Sequence, residues 1–224
     1  ARIQPAIKNP CKASATNVLG TCNVLQAARE NGVDRVIYSS TSSAYGLINN
    51  PPLTEDMPND CLNPYSVTKV AGEELCKMYT KLFGLKALIF RYFNVYGERQ
   101  PIKGQYAPVV GIFLCQTEAG EPMTIVGDGL QRRDFTHVSD VVDANMLAMN
   151  TESANIWGQT YNIGTGKNYS VLELAKMIGT KYTHIPERLG EARVTLADIT
   201  KAKSSLGWQP KVELKDWIRE YTDV

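Results

Sequence analysis

The stretch DRVIYSSTSSAYG, residues 34–46, decides how the chain is read. Val36, Ile37 and Tyr38 are β-branched or aromatic, and they read as a short buried strand. The strand runs straight into five consecutive hydroxyl side chains, Ser39 to Ser43. In open parallel sheets, ligands bind outside the carboxyl ends of strands. A Ser or Thr placed there can hydrogen-bond a reacting oxygen and stabilise charge on it. Ser and Thr also favour turns for local reasons, so this turn takes its meaning from its neighbours.

On the N-terminal side, KASATNVLGTCNVLQAAREN (12–31) repeats Val18, Cys22, Leu25 and Ala28 at spacings of three and four. That pattern predicts a helix, stopped by Gly32. On the C-terminal side, a proline-bearing polar loop (47–64) leads to NPYSVTKVAGEELCKMY (63–79). A helix is predicted over 65–83, with Val67, Val70, Ala71, Met78 and Leu82 on its buried side and Gly84 as its stop. KALIFRYFNVYG (86–97) reads as a second apolar strand. Helix–strand–helix–strand alternation predicts an α/β fold with a parallel sheet.

Farther on, the segments APVVGIFLCQTEAG, VSDVVDANMLAMN and SVLELAKMIGT read as helices, the second capped by Ser139 or its neighbour and the third by Ser170. PMTIVGDG and GQTYNIGTG read as strands ending in glycine turns, and VELKDWIREYTDV as a short amphipathic helix.

Composition excludes several functions. Net charge is +1, with acids and bases mixed, so bulk charge predicts neither a nucleic-acid nor a membrane-surface partner. No apolar run reaches the roughly 18 residues that span a bilayer. ARIQPAIKNP (1–10) lacks the apolar core of a secretory signal. The five cysteines form no CxxC, and reduced thiols in a cytoplasmic protein are expected. Two histidines are too few for a metal site of their own, and no metal is expected.

Tyr65 and Lys69 stand four residues apart, so a helix puts them on one face. A free tyrosine has a pKa of about 10, and a neighbouring cation favours its phenolate. Bringing that pKa to about 7 takes roughly 4 kcal/mol. The YxxxK spacing alone is common. The order strand, hydroxyl turn, loop, YxxxK helix is far more specific.

In that order, and over nearly the whole chain, the sequence resembles the extended short-chain dehydrogenase/reductase family of nucleotide-sugar epimerases and dehydratases. The resemblance is carried by NVLGTCNVLQAAREN, VIYSSTSSAYG, NPYSVTKVAGEE, RYFNVYGERQ, RRDFTHVSDVVDA, GQTYNIGTGKNYSV and ADITKAKSSLGWQPKVELKDWI. It implies a partial Rossmann-type doubly wound parallel sheet with a smaller mixed α/β substrate-binding domain. Residues 1–97 and 133–165 would belong to the Rossmann part, and 98–132 and 166–224 to the substrate part. Thr41, Tyr65 and Lys69 would be catalytic. Asn17, Ser39, Ser40, Tyr65, Lys69 and Tyr92 would line NAD. Thr41, Ser42, Asn94, Val109, Arg133, Arg188 and Glu191 would meet a nucleotide-sugar, most simply a UDP-hexose. The two arginines would clamp its pyrophosphate, a role that suits guanidinium geometry. A homodimer through the helices around 12–31 and 65–83 is also implied.

The family's dehydratases carry carboxylates just after the Thr, where this chain has Ser42 and Ser43, which are not bases near pH 7. The resemblance therefore implies inversion at C4 of the hexose through a 4-keto sugar. Dehydration, 4-keto reduction and a non-catalytic binding role stay open as alternatives. The small Thr195 would leave room for an N-acetyl group, and Val126 stands where relatives often offer the base an aromatic ring. The chain carries no GxxGxxG turn of the kind that binds a dinucleotide pyrophosphate. Roughly 70–80 residues of βα units would precede it in the family, so weak NAD binding and an inactive chain are expected.

Overall fold

The computed structural model describes residues 2–104 and 106–222. In chain order the elements are α1 (Ile3–Lys8), α2 (Pro10–Ser14), a π-helical turn (Ala15–Leu19), α3 (Gly20–Glu30), β1 (Arg35–Thr41), α4 (Pro64–Phe83), β2 (Lys86–Tyr92), β3 (Asn94–Tyr96) and α5 (Val109–Glu118). There follow β4 (Met123–Val126), β5 (Arg132–His137), α6 (Val138–Asn150), β6 (Thr160–Ile163), β7 (Asn168–Ser170), α7 (Val171–Ile178), β8 (Tyr182–Ile185), α8 (Thr200–Leu206) and α9 (Leu214–Thr222).

β1, β2 and β6 form a parallel sheet in that order, with Ser40 opposite Arg91 and Thr41 opposite Tyr92. Alternation along the strands sends Tyr38, Ala87 and Ile89 to one face, where they pack with Leu25, Cys76 and Tyr79 of α3 and α4. Leu88, Phe90, Tyr161 and Ile163 go to the other face, against Ala144 and Ala148 of α6 and Trp208. Helices on both faces of the parallel sheet that the alternation predicted make the doubly wound α/β arrangement that the resemblance implied.

β2 does not continue to Tyr96 as one strand. The chain breaks at Phe93, and β3 joins a second sheet, β3–β5–β7, whose β5–β7 pair is antiparallel. This second sheet shares a separate core with α5, α7 and α9, built on Phe113, Ile125, Phe135, Leu174 and Ile218. Periodicity could not show the break, because both halves are equally apolar.

Three other expectations need correction. The helix over 12–31 begins at Pro10 behind an Asn9 cap and carries the π-helical turn in its middle. On α4, Val67 and Leu82 are exposed; the buried side is Ser66, Thr68, Gly72, Glu73, Cys76 and Tyr79. The helix thus lays small and polar groups on the sheet beside Cys76 and Tyr79, with Leu75 and Met78 packed at the edge of that core, while Val67 and Leu82 point outward. Helix α6 is capped by His137, whose ring accepts from Ser139 N, rather than by Ser139 itself. The Ser170 cap is present, with Glu173 closing a capping box.

Candidate active site

Thr41 is the last residue of β1, and its Oγ1 accepts from Ser43 N at 3.1 Å, turning the chain out of the sheet. α4 starts at the same end. Asn63 Oδ1 accepts from Ser66 N at 2.9 Å and Pro64 fills the first helical position, where no amide donor is needed. Tyr65 is thereby held at the first turn, on the same cleft as Thr41. Burial pushes the Tyr65 phenol up from its ordinary value, while the Thr41 hydroxyl and the Arg2 guanidinium pull it back.

Lys69 shares the face of Tyr65, as the spacing required. Its ammonium, however, lies over the Tyr38 ring, 4.2 Å from the centroid. Burial pulls the Lys69 pKa down to about 8. The cation opposing burial at Tyr65 is therefore Arg2, where the spacing had suggested Lys69. Spacing sets the face of a helix but not where a four-carbon stem carries its charge.

Thr41, Tyr65, Lys69 and Asn94 line one cleft of about 430 Å³. Asn17, Ser39, Ser42 and Tyr92 border it too. Asn17 sits on the π-helical turn and donates to Thr68 Oγ1 at 2.9 Å, which ties that helix to α4. Tyr92 is anchored by Asn145 of α6, 3.1 Å from its hydroxyl. Ser40 also borders the cleft, but its hydroxyl turns under the strand and donates to Glu73.

The remaining expected residues lie next door. Arg133, Arg188 and Glu191 line an adjoining cavity with Ser42, Asn94 and Thr195. Val109 and Val126 border the same three charged residues on the far side. Arg133 Nη2 stands 3.4 Å from Glu191 Oε2, and its Nη1 donates to the Arg132 carbonyl at 2.9 Å. Arg188 is exposed and makes no side-chain hydrogen bond among the described residues. Asn63 Nδ2 donates to the Gly190 carbonyl at 2.8 Å, linking the start of α4 to the loop that carries Arg188 and Glu191.

Arg2 is the functional candidate that sequence reasoning missed. It borders the cleft of Thr41, Tyr65 and Lys69 and both adjoining cavities, and its Nη2 donates to the Tyr106 carbonyl at 2.6 Å. No local pattern marks it, because its significance comes from a fold-back of 104 residues. Asp134 and His137, next to Arg133 on β5, are buried, with 0% and 6% exposure. Among the described residues no group of three or more His, Cys, Asp or Glu side chains could hold a metal. Among the described residues, too, no helix is long and apolar enough to cross a membrane.

The profile of the GDP-mannose 4,6 dehydratase family matches residues 1–221. The chain belongs to that family. It is 39% identical to a putative UDP-glucose 4-epimerase of Methanocaldococcus jannaschii, over 97% of this chain and 71% of that protein. Its fold matches the crystal structure of the UDP-glucose 4-epimerase of Thermotoga maritima with UDP-glucose at a TM-score of 0.92 and 34% identity, over 100% of this chain and 73% of that one. It also matches the UDP-glucuronic acid 4-epimerase of Bacillus cereus, in complex with UDP-glucuronic acid and NAD, at a TM-score of 0.83 and 36% identity, over 93% and 67% of the two chains. Several family members are thus NAD-dependent nucleotide-sugar enzymes of Rossmann fold, and the sheet described above is part of that fold.

Proposed function

We propose that the residues of this chain serve to invert C4 of a nucleotide-linked hexose, a UDP-hexose in the first instance, through a 4-keto sugar and with NAD as the redox partner; whether the chain itself turns over, against the inactivity expected from its lack of a GxxGxxG turn, is an outcome of the test below. One observation carries the choice of reaction. Among the described residues bordering the catalytic cleft, the titratable side chains are Arg2, Tyr65, Lys69 and Tyr92, with no carboxylate. Dehydration needs a base for a carbon-bound proton, and a carboxylate normally supplies it. Oxidation and reduction of one alcohol needs only a group that trades a proton with oxygen.

The residues fit the nicotinamide end of NAD. Lys69 carries an ammonium with no hydrogen-bond acceptor among the described residues, at the edge of a cleft bordered by Asn17, Ser39 and Tyr92. NAD, when bound, supplies the hydride acceptor and a positively charged ring. Tyr65 takes the proton from the sugar hydroxyl and returns it to the ketone. Thr41 Oγ1 holds the same oxygen, and Lys69 holds a ribose hydroxyl. Burial holds the Tyr65 phenol above its ordinary value and the Arg2 guanidinium opposes it, so Arg2 is part of the role proposed for Tyr65. Arg133 and Arg188 take the pyrophosphate of the sugar nucleotide, with Glu191 on a ribose hydroxyl and Asn94 between the two cavities. In this reading residues 1–97 and 133–165 serve the cofactor, and 98–132 and 166–224 serve the sugar nucleotide. The exposed Leu19, Val24, Val67 and Leu82 on the outer helices support a homodimer through that face.

The test is product analysis. The protein is incubated with NAD and UDP-glucose, and the sugar is followed by proton NMR, while bound nucleotide is released with acid and identified. Appearance of the C4 epimer, with NAD unchanged, is the expected result. A 4-keto-6-deoxy product would assign the chain to dehydration instead. Binding of UDP-glucose without any NAD uptake would favour a non-catalytic role.

A further inference from the structure

Tyr65, Lys69 and Glu73 recur at four-residue spacing on α4. The first two border the cleft; the third points down into the sheet and is 0% exposed. Its partner is Arg91 of β2, 2% exposed. Arg91 Nε donates to Glu73 Oε1 at 2.9 Å and Nη2 to Oε2 at 2.7 Å, a two-pronged fork. Ser40 donates to the same Oε1. Arg91 Nη2 also donates to Asn59 Oδ1 at 2.7 Å, and the guanidinium lies 4.7 Å from the Tyr45 ring centroid. One carboxylate thus joins β1, β2, α4 and the loop before α4.

Stability is a weak reason for such a pair. Removing two charges from water costs about as much as their attraction returns. Arg91 Nη1 is moreover buried without an acceptor among the described residues. Direction is a better reason. A planar fork accepts only a narrow range of orientations, so it sets both the rotation of α4 and its position along the sheet. Ser40 is the residue before Thr41, and Glu73 lies two helical turns from Tyr65. The helix is also laid close to the strand. A Cβ on Gly72 would run into the Tyr38 phenol, and Tyr38 Oη donates to the Lys69 carbonyl at 3.2 Å. The N-terminal half of this contact, Ser66, Thr68, Gly72 and Glu73, is small and polar and has no apolar ridge to set its register; the apolar contacts of Cys76 and Tyr79 lie farther along the helix, and the fork fixes the half that carries Tyr65.

We infer that the Glu73–Arg91 pair is a positioning device: it sets the register of α4 against β1 and, through that register, the contact between Tyr65 and Thr41. Neither residue touches substrate or cofactor. The consequence for catalysis rests on the roles proposed above for Tyr65 and Thr41; the effect on geometry does not.

The test needs no turnover. Tyrosine labelled with ¹³C at Cζ is followed by NMR, with Tyr65 assigned from Tyr65→Phe, alongside the backbone amides of Thr41, Ser42 and Ser43. UDP affinity by calorimetry is the control, because it reads the Arg133 and Arg188 side. Arg91→Lys keeps both charges and drops the fork. It should fold, shift the Tyr65 titration upward, move the three amides and leave UDP affinity within about twofold. Glu73→Gln should lower the melting temperature by roughly 10 °C. The double variant Glu73→Leu/Arg91→Met should recover that loss without restoring the Tyr65 and Thr41 signals. If Arg91→Lys leaves those signals at their wild-type values, the inference fails. It fails equally if the double variant restores them together with the melting temperature. Should the double variant not fold, Arg91→Lys decides alone. A wild-type protein that does not bind UDP would count against the proposed substrate, and the register result would still stand.

Discussion

Among the described residues two carboxylates, Glu73 and Asp134, have no exposure at all. They are satisfied in opposite ways. Glu73 is held by a cation, with Ser40 as a third partner. Asp134 has no cation and accepts four hydrogen bonds. Oδ1 takes Thr165 N at 2.7 Å and Thr165 Oγ1 at 2.7 Å. Oδ2 takes Gly166 N at 3.0 Å and Ala197 N at 3.1 Å. Gly164 allows the approach, since a Cβ there would meet Ala197 and the Asp134 carboxylate. The difference follows from what each residue must fasten. Loops have free amide donors, and Asp134 gathers two of them behind Arg133. A helix packed on a parallel sheet has spent its amides internally, so the link from α4 to β2 has to come from side chains.

Five substitutions break or sharpen this contrast or test the cleft beside it. Asp134→Leu should have the largest effect, because it leaves four donors without their acceptor, each worth about 1–3 kcal/mol when buried. A loss above about 4 kcal/mol is expected in urea unfolding, and no second substitution should rescue it, since no single partner exists. Glu73→Gln comes next at about 3 kcal/mol, and here a matched apolar change at Arg91 should rescue stability. Equal rescue at both positions would erase the distinction.

Lys69→Met is smaller and depends on pH. The folded pKa of Lys69 is about 8, against an ordinary 10.5. Its contribution to stability is therefore complete above pH 10.5 and lost as pH falls through about 8. At pH 7 the wild type carries the cost of a buried ammonium, about 2–3 kcal/mol. Lys69→Met should be more stable than wild type at pH 7 by up to that amount, and no more stable at pH 11. Urea midpoints at the two values check this, and a gain that does not change with pH would mean that methionine packing, not charge, explains it.

Asp128→Asn should have the smallest effect. Its bidentate pair with Arg193 is a surface contact, the two side chains being 47% and 50% exposed. No measurable change in melting temperature is expected, which would show that burial, and not the number of hydrogen bonds, gives Glu73 and Asp134 their weight. Arg2→Ala bears on the cleft itself: the Tyr65 titration should move upward when the opposing cation is removed.

Much of the catalytic side was legible in the chain. The strand at 35–41, the hydroxyl turn after it and the helix carrying Tyr65 are encoded by short-range signals: β-branched runs, a glycine stop, a cap followed by proline. The break at Phe93 was not legible, because a strand that leaves one sheet for another looks like any apolar run. The outward face of Val67 and Leu82 was misread for a related reason. Apolar periodicity predicts burial only when the sheet beneath wants apolar side chains, and here Ser40, Arg91 and the Tyr38 phenol made α4 bury its small and polar face instead.

The sequence by itself determined the class of fold and the order of its elements, since these rest on signals a few residues long, and its resemblance to the family picked out Thr41, Tyr65 and Lys69, which line one cleft. Only the tertiary structure decided which charge stands by Tyr65, where the Lys69 ammonium goes, and that Glu73 and Arg91 tie α4 to β2. Those outcomes depend on contacts between residues 18 to 104 positions apart, such as Arg91 with Glu73 and Arg2 with Tyr106. Local propensity carries no information about them, because electrostatic and packing energies depend on distance in space and not along the chain.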